Sequence, residues 1–126
     1  MKTIKVALQT SLKILLAVLF GFLLFISMVD AAERPEDIYK TYCWQCHGMQ
    51  GNGMGINIPD MSVQPRDHTD SKEMSARSDE EIFKAIKEGG RSIGKSLLMP
   101  AWGGVLSDEE IKGLVQYLRQ LCKCKQ

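Results

Sequence analysis

The sequence predicts an all-α domain of three or more helices, and three observations carry that expectation. Two segments, S-D-E-E-I-F-K-A-I-K-E-G-G and S-D-E-E-I-K-G-L-V-Q-Y-L-R-Q-L, each open on a serine followed three residues later by glutamate. That pattern is a capping box, in which side chain and backbone at a helix start satisfy each other's hydrogen bonds. Both segments then place apolar residues at helical spacing. Nowhere does the chain show the apolar/polar alternation of a half-buried strand.

The first 31 residues are expected to lie outside this domain. Lys2, Lys5 and Lys13 make a basic start, and Ile14 to Val29 is an almost unbroken apolar run. Val29 and Ala31 then stand at the two small-residue positions of a cleavage site. This is the layout of a secretory signal peptide, with an uncleaved N-terminal anchor as the alternative. In both readings the positive charges stay inside and residues 32–126 lie outside the cytoplasm, which predicts a periplasmic location. A membrane association is expected only if the N-terminal segment is retained.

Of 16 Lys and Arg, three precede residue 32, and of 15 Asp and Glu, one does; residues 32–126 therefore carry 13 basic and 14 acidic side chains. With no basic stripe, nucleic acid is not an expected partner.

The first helix of the domain is expected to start at R-P-E-D, where Pro35 suits a first turn. Ile38, Tyr42 and Cys43 share a face, and Gly48 ends it. Gly48 to Arg77 reads as a long irregular stretch holding Gly51, Gly53, Gly55, Pro59 and Pro65. Such a loop within a compact domain usually has a task. It is not a nucleotide cradle, because no strand precedes it and no G-K-[ST] follows. The second helix is capped by Ser78 and Glu81, carries Ile82, Phe83 and Ile86 on its apolar face, and stops at Gly89. The third is capped by Ser107 and Glu110 and carries Ile111, Leu114, Val115, Leu118 and Leu121. A loop containing L-M-P-A-W-G-G joins them.

The chemistry is expected at T-Y-C-W-Q-C-H-G, residues 41–48. Cys43, Cys46 and His47 form C-x-x-C-H, the attachment pattern for c-type haem. Two thiols three apart on a helical turn can add to two vinyl groups of one porphyrin, and the next residue then offers its imidazole to the iron. The other ring nitrogen is expected to donate to a backbone carbonyl, with Pro59 or Ile56 as the candidate acceptor. A thioredoxin-like pair is disfavoured by the missing strands, a four-cysteine zinc site by the distance between C-x-x-C and C-x-C, and a simple disulfide by the unexplained His47.

The second axial ligand sets the chemistry of a haem. Met99 is the candidate, since Pro100 keeps the chain before it extended and so presents the thioether. His68, in P-R-D-H-T-D, is the rival, and its ordinary reading is a solvated loop residue. Trp102 is either core filling or a haem contact. Arg66 is either solvated or a propionate partner. Trp44 and Gln45 read as exposed spacers. Cys122 and Cys124, placed past the last helix, leave several readings open: a direct disulfide, a bond to a partner chain, copper binding by soft sulfur, or a reactive thiol pair.

Taken together, C-W-Q-C-H-G, the glycine-rich stretch, M-P-A-W-G-G and the two S-D-E-E-I helices resemble a small monohaem class I cytochrome c of the soluble or cbb3-type cytochrome c domain group. The resemblance spans residues 36–121. It implies the class I cytochrome c fold, with helices wrapped around one covalently bound haem c. It also implies Cys43 and Cys46 as thioether partners and His47 and Met99 as axial ligands. The function it implies is one-electron transfer with redox partner proteins met transiently, not catalysis. The alternatives are a membrane-tethered or complex-bound relay, and a haem sensor or enzyme with an open distal site. Two features depart from the pattern: His68 stands where relatives often carry an aromatic residue, and L-C-K-C-K-Q has no counterpart.

Overall fold

The computed structural model describes residues 13–21 and 33–125. Residues 13–21 are helical and belong to a unit separate from the one formed by Ala32–Gln126. Lys2, Lys5 and the expected cleavage positions Val29 and Ala31 lie outside the described residues. Among the described residues, no helix is long and apolar enough to cross a membrane.

The domain begins with α1, Pro35–Tyr42, whose proline sits in the first turn. Its fixed φ suits that position, and its missing N–H is one the helix leaves unused anyway. Glu36 and Asp37 also stand in this turn, where the helix dipole favours negative charge. The chain bends at Cys43 (φ −108°) and resumes as a single turn, α2, Trp44–His47, which ends at Gly48 with φ 81°. The one helix expected through to Gly48 is thus two, with the break on the first cysteine.

The stretch expected to be irregular contains a 3₁₀ turn, Ile58–Asp60, and a short helix, α3, Ser71–Ser75. Asp70 caps α3 by accepting the backbone N–H of Glu73 at 2.9 Å. The signal was present in D-S-K-E, an Asp followed three residues later by Glu, but five residues are too few to show a period.

Helices α4 (Asp79–Glu88) and α5 (Asp108–Cys122) form where expected, and both capping boxes are closed. Gly89 ends α4 at φ 81°, and a 3₁₀ turn, Gly90–Ile93, follows. Among the described residues there is no strand.

The core gathers around α5. Ile111, Leu114, Val115 and Leu118 are buried, as expected, together with Ile38 and Tyr39 of α1, Met74 of α3, and Ile82 and Ile86 of α4. Burying each large apolar side chain is worth about 1.5–3 kcal/mol, so the stripe on α5 organises the domain. Helices α1, α3 and α4 all pack on it. The approach of α1 is close: a Cβ on Gly113 would meet the Pro35 ring at 2.9 Å.

Candidate functional site

The helices and the loop between them enclose a cavity of about 500 Å³, within the range of sites that take a small molecule or cofactor. Its wall includes Cys43, Cys46 and His47 from the α1–α2 corner, Met99 and Trp102 from the loop before α5, and Leu114 and Leu118 from the core face of α5. The fold therefore brings the four sequence-predicted site residues to one cavity. Met61 and Met74 reach it as well, but Met74 is fully buried in the core.

Each donor is fixed by backbone chemistry. Glycines let the loop after α2 fold back onto that helix. The N–H of Gly53 donates to the His47 carbonyl at 2.8 Å, that of Gly55 to Cys46 at 3.1 Å, and that of Asn57 to Gln45 at 3.0 Å. These carbonyls are the orphan acceptors of a helix end. A side chain on Gly55 would overlap the Gln45 carbonyl, so only glycine allows this approach.

The His47 Nδ1 lies 3.0 Å from the backbone oxygen of Arg66. A carbonyl can only accept, so Nδ1 carries the proton and Nε2 keeps its lone pair. Burial holds the His47 pKa below its ordinary value, and the Arg66 hydrogen bond opposes that only in part. The ring is thus a neutral nitrogen donor.

The expected acceptors were Pro59 and Ile56. The 55–57 stretch is instead committed to capping α2, and the chain comes back over the histidine only at Pro65–His68. That return is pinned by the Gln64 side chain donating to the Gly53 carbonyl at 2.9 Å and by the His68 N–H donating to the Gly51 carbonyl at 2.6 Å.

His68 is buried, not solvated. Its ring stacks on His47 with centroids 4.2 Å apart and planes 15° from parallel. Burial drives its pKa well down, so it too is neutral. Arg66 pairs with Glu73 at 2.9 Å. Trp44, expected to be exposed, packs partly against the core, while Gln45 is exposed.

Met99 is held by the end of α4. Its carbonyl accepts from the Gly90 N–H at 3.0 Å, and the next residues close the helix: Trp102 N–H donates to Ile86 and Gly103 N–H to Lys87, both at 3.0 Å. The Trp102 ring packs on Tyr42 with centroids 5.0 Å apart. Proline and these three anchors keep the segment out of a helix.

Cys43 and Cys46 are both free thiols. Burial, with Cys46 adding to it, pushes the Cys43 thiol up to about 12. A thiol that stays protonated is a poor metal ligand. Among the described residues no group of three or more His, Cys, Asp or Glu is placed to hold a metal ion. Cys122 and Cys124 form a disulfide with each other, which removes the four-cysteine zinc reading. Both are buried, and Cys122 is the last residue of α5 and not past it. Lys123, at φ 52°, turns the chain back and lets the Cys124 N–H donate to Arg119 at 3.2 Å.

Two free thiols, one imidazole with a free lone pair and one thioether, lining one cavity, suit a covalently tethered porphyrin with a nitrogen and a sulfur donor. The class this defines is a helical c-type cytochrome of the class I fold. A family model described as cytochrome c oxidase, cbb3-type, subunit III matches residues 30–118, and the chain belongs to that family.

Similar proteins agree. Cytochrome c-554(548) of Halomonas halodenitrificans is 30% identical over 86 residues, covering 68% of this chain and 90% of the relative. Cytochrome c6 of Gracilaria tenuistipitata var. liui is 30% identical over 96 residues, covering 76% of this chain and 75% of the relative. Among solved structures, the KustC0563 c-type cytochrome superposes with a TM-score of 0.57 at 27% identity, covering 71% of this chain and 98% of that one. A chain of the Kuenenia stuttgartiensis reducing HAO-like protein complex gives 0.56 at 28% identity, covering 73% of this chain and 43% of its own length. The family is one of cytochrome c electron carriers and implies covalently bound haem c.

Proposed function

We propose that this chain is an exported, periplasmic one-electron carrier that holds a single haem c. Cys43 and Cys46 form the thioethers, and His47 and Met99 are the axial ligands. The observation that carries the reading is the shared cavity wall of these four residues, with the His47 proton held at Nδ1 by Arg66 so that Nε2 is free to bind metal. A single haem is supported by the single C-x-x-C-H in the sequence.

When bound, the haem supplies reversible exchange of one electron between Fe(II) and Fe(III). The chain does the rest. The cysteines prevent the group from dissociating after export. His47 and Met99 would both hold the iron and leave small ligands no open site, which argues against catalysis at the metal. A methionine ligand raises the reduction potential relative to two nitrogens. Leu114 and Leu118 of α5 give the cavity wall apolar side chains, which would limit water at the metal. Partners meet such a protein over small, transient interfaces, and the near-balance of 13 basic and 14 acidic residues in 32–126 gives no strong overall field to steer them.

A second reading, a complex-bound relay, is favoured by the likeness to a chain of a multi-protein complex. Expression with a haem-attachment system and an intact N-terminus tests both. A red protein with the mass of one haem, a c-type pyridine haemochrome and no carbon monoxide shift in the reduced spectrum is the expected result. N-terminal sequencing of the mature protein then separates a free carrier from an anchored one. A colourless folded product, or ready carbon monoxide binding, overturns the ligand set.

A further inference from the structure

We infer that His68 is a positioning residue for His47, its imidazole face fixing the plane of the ring that the proposed function makes an iron ligand; the inference rests on that reading. A single hydrogen bond from Nδ1 to the Arg66 carbonyl, at 3.0 Å, sets where the His47 ring sits but leaves it able to swing about the N–H···O line. A flat group against the ring face removes that freedom. His68 supplies it, with centroids 4.2 Å apart and planes 15° from parallel.

The plane of His68 is itself fixed by contacts that do not involve His47. Its backbone N–H donates to the Gly51 carbonyl at 2.6 Å. Its Nδ1 lies 3.4 Å from the Tyr39 hydroxyl oxygen. Tyr39 is 1% exposed and donates its own proton to the Gly48 carbonyl at 3.1 Å. That commits the hydroxyl oxygen to accepting from His68, so His68 also carries its proton on Nδ1. The order of support runs from α1 through Tyr39 to His68 and then to His47. Arg66 and His68, two residues apart on one returning strand of loop, hold the same imidazole at its edge and on its face. An apolar side chain would fill the space without the cost of burying ring nitrogens; the imidazole adds a flat face anchored at its edge. Partners of this kind orient a ligating histidine.

The plane of an axial imidazole decides how unpaired spin spreads over the four ring methyls of a ferric low-spin haem, so proton NMR of the ferric holoprotein reads it directly. The comparison is wild type against His68→Phe, which keeps a flat face, and His68→Leu, which keeps apolar bulk without one. The expected result is a wild-type order and spread of the methyl resonances in His68→Phe and an altered order or spread in His68→Leu. A wild-type pattern in His68→Leu, with only a lower unfolding temperature, reduces His68 to packing and overturns the inference. So does an equal departure from wild type in both variants. If the wild-type protein itself lacks hyperfine-shifted haem methyls, the proposed function fails and this inference with it. A normal wild-type spectrum with an unchanged leucine variant sinks this inference alone.

Discussion

Arg119, near the end of α5, donates from Nε to the Asp79 carboxylate at 2.8 Å, at the very start of α4. The same guanidinium donates to the backbone oxygens of Met74 at 2.7 Å and Arg77 at 2.6 Å. One buried side chain thus ties α3, the α3–α4 turn and α4 to the core helix. Met74 and Arg77 also line the cavity, so this clamp holds part of its wall.

Arg119→Ala is therefore expected to lower stability by about 3 kcal/mol, because it removes the guanidinium from the Met74 and Arg77 carbonyls and leaves a half-buried carboxylate without its charged partner. Asp79→Asn, which keeps a hydrogen-bond acceptor, should cost about 1 kcal/mol. Urea unfolding of the holoprotein, followed by far-ultraviolet circular dichroism, measures both. Equal losses in the two variants would mean that the ion pair, not the carbonyl clamp, is what matters.

The capping box of α5 predicts a pH dependence. The Ser107 N–H donates to the Glu110 carboxylate at 2.7 Å and the Ser107 hydroxyl at 2.8 Å. These bonds hold the Glu110 pKa below its ordinary value of 4.5. A carboxyl depressed in the folded state adds stability above its unfolded pKa and loses it as pH falls through the folded one. Glu110→Gln keeps the box geometry without the charge. The stability gap between wild type and Glu110→Gln should thus be steady near pH 7 and close as pH drops below about 4.5. Urea midpoints taken across that interval test the sign; a gap that widens toward acid would refute it.

Which features were legible in the sequence follows from their range. The caps of α4 and α5 depend on residues three apart, and Ser78, Glu81, Ser107 and Glu110 behave as their spacing implies. Gly89 was readable for the same reason. The partner of His47 was not, because it is set by where the chain comes back after the α2 cap, and nothing near His47 encodes that Arg66 returns and Ile56 or Pro59 does not. The burial of His68 depends on Tyr39, 29 residues away. The readings of Cys122 and Cys124 stayed open because their pairing and burial depend on Lys123 adopting a left-handed conformation that a lysine seldom signals. For His47 and His68 a distant segment decided what a local motif could not.

The Cys122–Cys124 disulfide closes a ring too small to restrict the unfolded chain strongly. Loop entropy assigns it about 1.5 kcal/mol. Replacing both cysteines with alanine should therefore cost about that much stability and leave the visible spectrum of the holoprotein intact, since neither sulfur lines the cavity. Absorbance between the Soret and near-infrared regions, with a thermal melt, checks both halves. A lost or shifted spectrum would place the tail in the haem site.

Gly89 links the end of α4 to the segment that presents Met99. Its φ of 81° and ψ of 168° fall in a region that is essentially restricted to glycine. A Cβ there would also stand 2.9 Å from the Met99 oxygen and 3.0 Å from the Ala101 nitrogen, both backbone atoms that cannot rotate away. Gly89→Ala should then cost about 2 kcal/mol in backbone strain and, in relieving it, push the Met99 segment off the helix end. The second effect is the informative one. If Met99 is the distal ligand, the variant should show a weakened sulfur-to-iron band in the near infrared and carbon monoxide binding to the reduced protein that wild type lacks. Gly104→Ala is the control, with nothing within 4 Å of an added Cβ, and should fall within about 0.5 kcal/mol of wild type with an unchanged band. A destabilised Gly89→Ala whose near-infrared band is unaltered would separate the α4 terminus from Met99 ligation and point to another residue as the sulfur donor.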